Sequence, residues 1–301
     1  MWTNPRRIFN LEDSPGRSNH AQVPTPWAMK DRIRIYYAGR NNGKSYPTYF
    51  DLSHDLKNIL YVHSKPIMAG ASPGMFDADG VMPSCVIERN GELWMYYIGW
   101  NELKNTARYQ NEIGLAISKD GGETFQRKFM GPIMGRSAME PGLAVMPFVI
   151  EDKGIFKMWY QSGTGWHFVD GQYEPTYVIK YADSINGIDW RRLPEPCINP
   201  EFPLEAFSRP CVIQDNYTWK MWVCTRDSKD YRGGEGSYQI ERAESTNGKR
   251  FIRCRLSAPE RGDWDSDMQC YPYVFEFNDK LYMLYNGNDF GQTGIGLAEW
   301  N

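Results

Sequence analysis

Five stretches of the 301-residue chain run into a proline and carry much of its candidate chemistry. They are "SNHAQVP" (18–24), "MFDADGVMP" (75–83), "MEPGLAVMP" (139–147), "EAFSRP" (205–210) and "DSDMQCYP" (265–272). Asp77, Asp79, Glu140 and Asp267 are carboxylates of the kind that work in pairs, one as general acid and the other as base or nucleophile. His20, Gln22, Arg209 and Gln269 add hydrogen-bonding and cationic groups. A second set follows the aromatic runs of the chain: Arg40, Trp100, Asn101, Trp166, His167, Arg226 and Asn288. Indole faces stack on sugar rings, while amides, carboxylates and guanidinium groups bond hydroxyls. If these residues converge, their chemistry suits a carbohydrate or a glycosylated small molecule.

Each also has a quieter role open to it. Asp77 and Asp79 could cap a turn around Gly80. Glu140 could be a solvated loop residue, Arg209 could pair with Glu205 or Asp267, and His20 could be a satisfied histidine lining a channel. Whether any of these roles holds depends on what positions the five stretches.

An internal repeat does so. A proline, an apolar triplet, a polar turn and an aromatic-rich strand recur as "PTPWAMKDRIRIYYAGRN", "PSCVIERNGELWMYYIGWN", "PFVIEDKGIFKMWYQSGTGW", "PCVIQDNYTWKMWVCTRD" and "PYVFEFNDKLYMLYNGND". Their leading prolines, Pro24, Pro83, Pro147, Pro210 and Pro272, are spaced by 59, 64, 63 and 62 residues. A hairpin follows in the middle copies: "IGLAISKDGGETFQR", "IKYADSINGIDWRRL" and "IERAESTNGKRFIRC", each around a Ser-x-Asp/Asn-Gly turn. The first copy has a degenerate version, and the last stops at "IGLAEW".

Four antiparallel strands per copy and five copies predict an all-β, five-bladed β-propeller occupying residues 1–301 as one domain. The prolines fit an innermost strand, whose free edge tolerates a missing N–H. The unpaired "RRIFN" (6–10) is expected to supply the missing fourth strand of the last blade and close the ring. In such a ring the five pre-proline loops and the loops after the aromatic strands share one face. The short turns on the opposite face read as generic solvated hairpins.

Composition bounds the rest. A net charge of −3 gives no basic footprint for nucleic acid and no polybasic membrane patch. No apolar run approaches a membrane span, and the N-terminal segment lacks a signal-peptide h-region, so a cytoplasmic protein is expected. The six cysteines form no CxxC pair and read as buried, reduced thiols. His20, His54, His63 and His167 are scattered, so neither a metal nor another cofactor is expected, although one ion held by His20 and carboxylates stays open. Oligomeric state is not legible.

Five blades, aromatic second strands, Ser-x-Asp/Asn-Gly turns and an acidic mouth together resemble the five-bladed propeller glycosidase superfamily. That group spans glycoside hydrolase families 32, 43, 62 and 68 and the family-130 mannoside phosphorylases. The resemblance covers nearly the whole chain. It implies aspartates at the first two inner strands and an acid glutamate at the third. Here the residues before the prolines are Val23, Met82, Met146, Arg209 and Tyr271, and the first blade offers His20 and Gln22 instead of an aspartate. On this resemblance the expected function is a glycosidase-like enzyme. Glu140 would be its acid, Asp79 its base or nucleophile, and Asp77 or Asp267 would orient the sugar. Two alternatives stand beside it: a phosphorylase or glycosyl transferase holding phosphate on Arg209, Arg226 and Arg40, and a non-catalytic carbohydrate-binding propeller.

Overall fold

The computed structural model describes residues 1–14, 18–104, 107–215, 217–254 and 257–301. Its strands pair into five antiparallel blades, the first two joined by a single parallel pairing of Ser45 with Gly80, and the chain is a five-bladed β-propeller. The first strand, β1 (Trp2–Phe9), stands apart from blade 1, which holds β2 (Ala21–Ala28), β3 (Arg32–Asn41), β4 (Lys44–Ser53) and β5 (Ile59–Val62). Blade 2 holds β6 (Gly80–Arg89), β7 (Glu92–Glu102), β8 (Tyr109–Ser118) and β9 (Gln126–Arg127). Blade 3 holds β10 (Ala144–Asp152), β11 (Ile155–Val169), β12 (Gln172–Ser184) and β13 (Arg191–Pro196). Blade 4 follows with β14 (Glu205–Asp215), β15 (Thr218–Asp227), β16 (Gln239–Ser245) and β17 (Ile252–Arg253). In blade 5, β18 (Cys270–Phe277), β19 (Lys280–Asn286) and β20 (Ile295–Trp300) are completed by β1.

The closing strand runs further than "RRIFN" suggested, and it grips both neighbours of blade 5. It pairs antiparallel with β20 from Trp2↔Trp300 to Phe9↔Ile295. Trp2 meets Trp222 of blade 4 edge-on at 5.9 Å, and Phe9 stacks on Phe50 of blade 1 at 4.4 Å. Asn301 donates its backbone N–H to the Met1 carbonyl at 3.0 Å, so the two termini meet.

The Ser-x-Asp/Asn-Gly turns are latches rather than generic solvated hairpins. Tyr36 of blade 1 donates its hydroxyl to the Gly122 carbonyl of blade 2 at 2.8 Å. Tyr96 of blade 2 reaches Gly187 of blade 3 at 3.0 Å, and Trp159 of blade 3 reaches Gly248 of blade 4 at 2.7 Å. An aromatic of each of these blades thus holds the outer turn of the next. Gly187 (φ +74°) shows why glycine is needed: a Cβ there would stand 2.7 Å from the Tyr96 hydroxyl.

The inner-strand prolines sit at bulges as well as on a free edge. Register breaks between Gln22 and Thr25, Pro83 and Cys85, Val145 and Phe148, Ser208 and Cys211, and Cys270 and Tyr273. Four pre-proline residues are left-handed: Val23, Met146, Arg209 and Tyr271, with φ between 52° and 54°. A β-branched valine and pre-proline residues resist that conformation, so the inner strands store strain at one level of the ring. No helix among the described residues is long and apolar enough to cross a membrane.

Candidate functional site

The strained level is where the blades converge on a cavity. About 200 Å³ of space on the axis is lined from every blade. The bulges turn Val23, Met82, Met146, Ser208 and Tyr271 towards it. Gln22 and Val145 precede bulges, Arg40 and Trp100 come from the mouth ends of β3 and β7, and Gln161 comes from the middle of the longer β11. Tyr109, Asn111 and Tyr177 come from β8 and β12, and blade 4 adds Tyr231, Arg232 and Tyr238. Phe290 enters from the loop after β19 with its own left-handed φ of 57°. A larger hollow of about 810 Å³ lies between blades 3 and 4 among the short turns of the opposite face. It draws on two blades only, so the axial cavity is the candidate site.

Four sequence candidates reach this lining: His20, Gln22, Arg40 and Trp100. His20 is buried, and burial followed by the charge of Arg40 lowers its pKa to about 4. Its Nδ1 lies 2.7 Å from Asn19 Oδ1, which can only accept. Nδ1 therefore carries the proton, and Nε2 is left as an acceptor. Trp100 donates its indole N–H to Ser45 at 2.5 Å, fixing the ring at the junction of blades 1 and 2. The Arg40 guanidinium lies 5.5 Å from an indole ring centre of Trp100.

The four carboxylates proposed for catalysis are not in the lining, which among the described residues holds no aspartate or glutamate. Asp77 is buried and accepts from Tyr97 Oη at 3.0 Å and Arg127 Nε at 2.8 Å. Glu140 is equally buried and accepts from Tyr160 and Ser162, both at 2.8 Å, and from Arg192 at 2.6 Å; Lys180 stands 3.4 Å away. Burial alone would raise the pKa of Glu140, but the Arg192, Ser162 and Tyr160 hydrogen bonds and the Lys180 charge overcome it, and the net shift is downward.

Blade 4 repeats the arrangement, with buried Glu205 paired to Arg253 at 2.8 Å. Each of these arginines lies on the outermost strand, two residues after an aromatic that precedes that strand: Phe125–Arg127, Trp190–Arg192, Phe251–Arg253. A carboxylate at or just before the start of the inner strand is thus clamped to the outer strand of its own blade, three times over. Blade 5 has β1 as its outer strand and no such arginine among the described residues; there Asp265 accepts instead from Tyr285 at 3.1 Å and Gln269 at 2.7 Å. Asp79 is half-buried, accepting from the Glu102 N–H and pairing with Lys44 at 3.6 Å. Asp267 is exposed and accepts from Ser266.

The other candidates are bonded or packed within the propeller itself and lie outside the lining. Asn101 accepts from the N–H groups of Ala78 and Asp79, and Asn288 does the same for Asp267 and Met268 three blades on. Gln269 is spent on Asp265 and the Pro259 carbonyl. Trp166 meets Tyr109 edge-on at 5.3 Å, and His167 Nε2 bonds Thr176 at 2.9 Å. Arg209 is fully buried below the cavity, donating to Ser84, Thr25 and the Pro24 carbonyl rather than pairing with Glu205 or Asp267. Arg226 lies behind the lining tyrosines, 3.7 Å over Tyr231 and bonded to Tyr177, Tyr238 and the Pro175 carbonyl.

The lining residues missed by sequence had a usable signal: the third strand of each blade starts on the same face, so Tyr109, Asn111 and Tyr177 belonged with Trp100. Glu174 is the carboxylate that touches the lining from behind, bonded to Tyr231 at 2.7 Å and paired with Arg232 at 3.1 Å. Among the described residues no cluster of three or more histidine, cysteine or acidic side chains is placed to hold a metal.

Known structures share this architecture. A glycoside hydrolase superposes with a TM-score of 0.72 at 17% identity, covering 95% of this chain and 89% of that one. A thermostable family-43 glycoside hydrolase gives 0.67 at 13% over 96% and 91%. The Bombyx mori family-32 beta-fructofuranosidase in complex with sucrose gives 0.64 at 12% over 97% and 62%. The fold is that of the five-bladed propeller glycoside hydrolases. No protein-family model matches the sequence. The uncharacterized protein Rv1502 of Mycobacterium tuberculosis (strain H37Rv) is 34% identical over 309 residues, 99% of this chain and 98% of that protein. The uncharacterized protein MT1551 of strain CDC 1551 matches to the same extent, and the chain belongs to the family of these two proteins.

Proposed function

We propose that the protein recognises a glycan or glycosylated small molecule in the axial cavity and does not use the paired-carboxylate route of hydrolysis. The observation that carries this is the lining itself: an indole, five phenols, a phenyl ring, amides and guanidinium groups drawn from all five blades, with no carboxylate among them. Aromatic faces with a few placed polar groups suit a sugar. The modest volume favours one sugar unit over a bound chain. Calorimetric titration with a panel of mono- and disaccharides tests it. Trp100→Ala is expected to abolish binding of the sugar that the native protein takes, while far-ultraviolet dichroism stays native. Sugar release that disappears in Asp79→Asn would overturn the non-hydrolytic part.

Glycoside cleavage is the second reading, supported by the likeness to glycoside hydrolases. The carboxylate within its reach is Glu174, through Tyr231 and Arg232. Turnover of aryl glycosides that Glu174→Gln abolishes would favour it over simple binding.

A further inference from the structure

We propose that the sugar taken by the axial cavity carries an anionic group, a carboxylate or a phosphate, with Arg40 as its counter-ion; this rests on the carbohydrate reading above. Arg40 lines the cavity against Trp100, and its guanidinium has neither a hydrogen bond nor an ion pair with any described residue. The other arginines here are occupied. Arg232 is paired with Glu174, and Arg226 and Arg209 are bonded to hydroxyls and carbonyls.

Arg226 and Arg209 are also buried without a carboxylate partner among the described residues. Setting Glu174 against Arg232 leaves three uncompensated cations in or directly behind the lining, and no carboxylate within it. Low-dielectric walls focus such a field on whatever enters. The neutral state of His20 responds to the same field, since Arg40 contributes to its lowered pKa.

Charge alone would admit any small anion, but two amides narrow the choice. Gln22 is 7% exposed, and its Oε1 is buried in the lining without a partner; Asn111 Oδ1 is in the same condition. Both oxygens can only accept, and a bare oxyanion offers them no donor. They call for donors, and a buried acceptor left unpaired is costly enough to select for one. Hydroxyl donors together with one negative charge, beside an indole face, describe a uronic acid or a sugar phosphate. A neutral sugar leaves Arg40 without a counter-ion, and inorganic phosphate brings only its own one or two P–OH donors to the amide oxygens and nothing to the indole face.

The test is titration calorimetry with matched pairs of gluco, galacto and manno configuration: hexuronic acid against hexose, and hexose phosphate against hexose, with inorganic phosphate alone as a further arm. One anionic member is expected to bind at least about tenfold tighter than its neutral partner, the scale of a charge-assisted hydrogen bond. Whether the uronate or the phosphate arm responds names the source of the charge. Arg40→Leu should bring anionic and neutral affinities within about twofold, Arg40→Lys should restore part of the preference, and Gln22→Leu should weaken both members alike. Equal affinity for a neutral sugar and its anionic partner, or a preference that survives Arg40→Leu, overturns the anion inference and leaves the carbohydrate reading standing. Inorganic phosphate binding as tightly as any sugar phosphate overturns the sugar part. Failure of every sugar in the panel, charged or neutral, overturns the reading on which the inference rests.

Discussion

Glu140→Gln separates the two roles open to that residue. As a catalytic acid, its loss would lower turnover and spare the fold. In the structure it closes blade 3: one oxygen takes Tyr160 and Ser162, the other takes Arg192, and Lys180 lies close. Removing one partner of a buried pair costs roughly 3–5 kcal/mol. The side chain of Arg192 is 24% exposed and recovers some water, so the low end applies, about 3 kcal/mol. For a chain of this size each kcal/mol moves Tm by roughly 2 °C, so a fall of about 6 °C is expected in scanning calorimetry. Because the carboxyl pKa is depressed in the fold, this stabilisation is complete above the unfolded value of about 4.3 and is lost as pH falls through the lower folded value. The gap between native and variant Tm should therefore close in acid. A variant that melts with the native protein at pH 7 yet loses sugar binding or turnover would refute the structural assignment.

Trp2→Ala should cost about 3–5 kcal/mol in urea melts, because the ring joins β1 to both Trp222 and Trp300; a loss under about 1 kcal/mol would deny the closing strand its role. Gly187→Ala should destabilise more than Gly91→Ala. Both glycines hold positive φ, but only the first places a new Cβ against a latch hydroxyl, while nothing stands within 4 Å at Gly91. Equal losses, each at the strain scale of about 1–2 kcal/mol, would mean that the latch contributes nothing. His20 titrates near 6.5 in the unfolded chain and about 4 in the fold, so the unfolded state binds the proton first. Stability should be full above pH 6.5 and decline between 6.5 and 4, and His20→Gln should flatten that part of a Tm-against-pH profile.

The fold was open to sequence reading because each repeat states its own hydrogen-bond economy. Pro24, Pro83, Pro147, Pro210 and Pro272 mark strands with a free edge, and the Asp/Asn-Gly turns mark hairpins. Closure by the N-terminal strand was legible for the same reason, since "IGLAEW" lacked a partner. The bulges were not legible. A left-handed valine before proline contradicts local propensity, and only the packing of five blades around one axis imposes it.

The site is harder to read, because the acidic residues that stand out in the sequence do not line the axial cavity. Asp77, Glu140, Glu205 and Asp265 recur at one place in successive blades, and Arg127, Arg192 and Arg253 recur with three of them. A group repeated around a ring is doing what every blade needs, which is to tie its inner loop to its outer edge. A ligand bound on the axis of one chain has no fivefold symmetry, so the residues that recognise it must differ from blade to blade. The pre-proline positions do differ, as Val23, Met82, Met146, Arg209 and Tyr271, and so do Gln22, Val81, Val145, Ser208 and Cys270 just before them. At the ends of the aromatic runs the aligned residues are Arg40, Trp100, Gly163, Arg226 and Asn288, and two positions earlier Gln161 stands where blades 1 and 2 have Ala38 and Ile98. Divergence at positions that the repeat aligns was the readable mark of the cavity, and it leads to Arg40 and Gln22 rather than to the carboxylates.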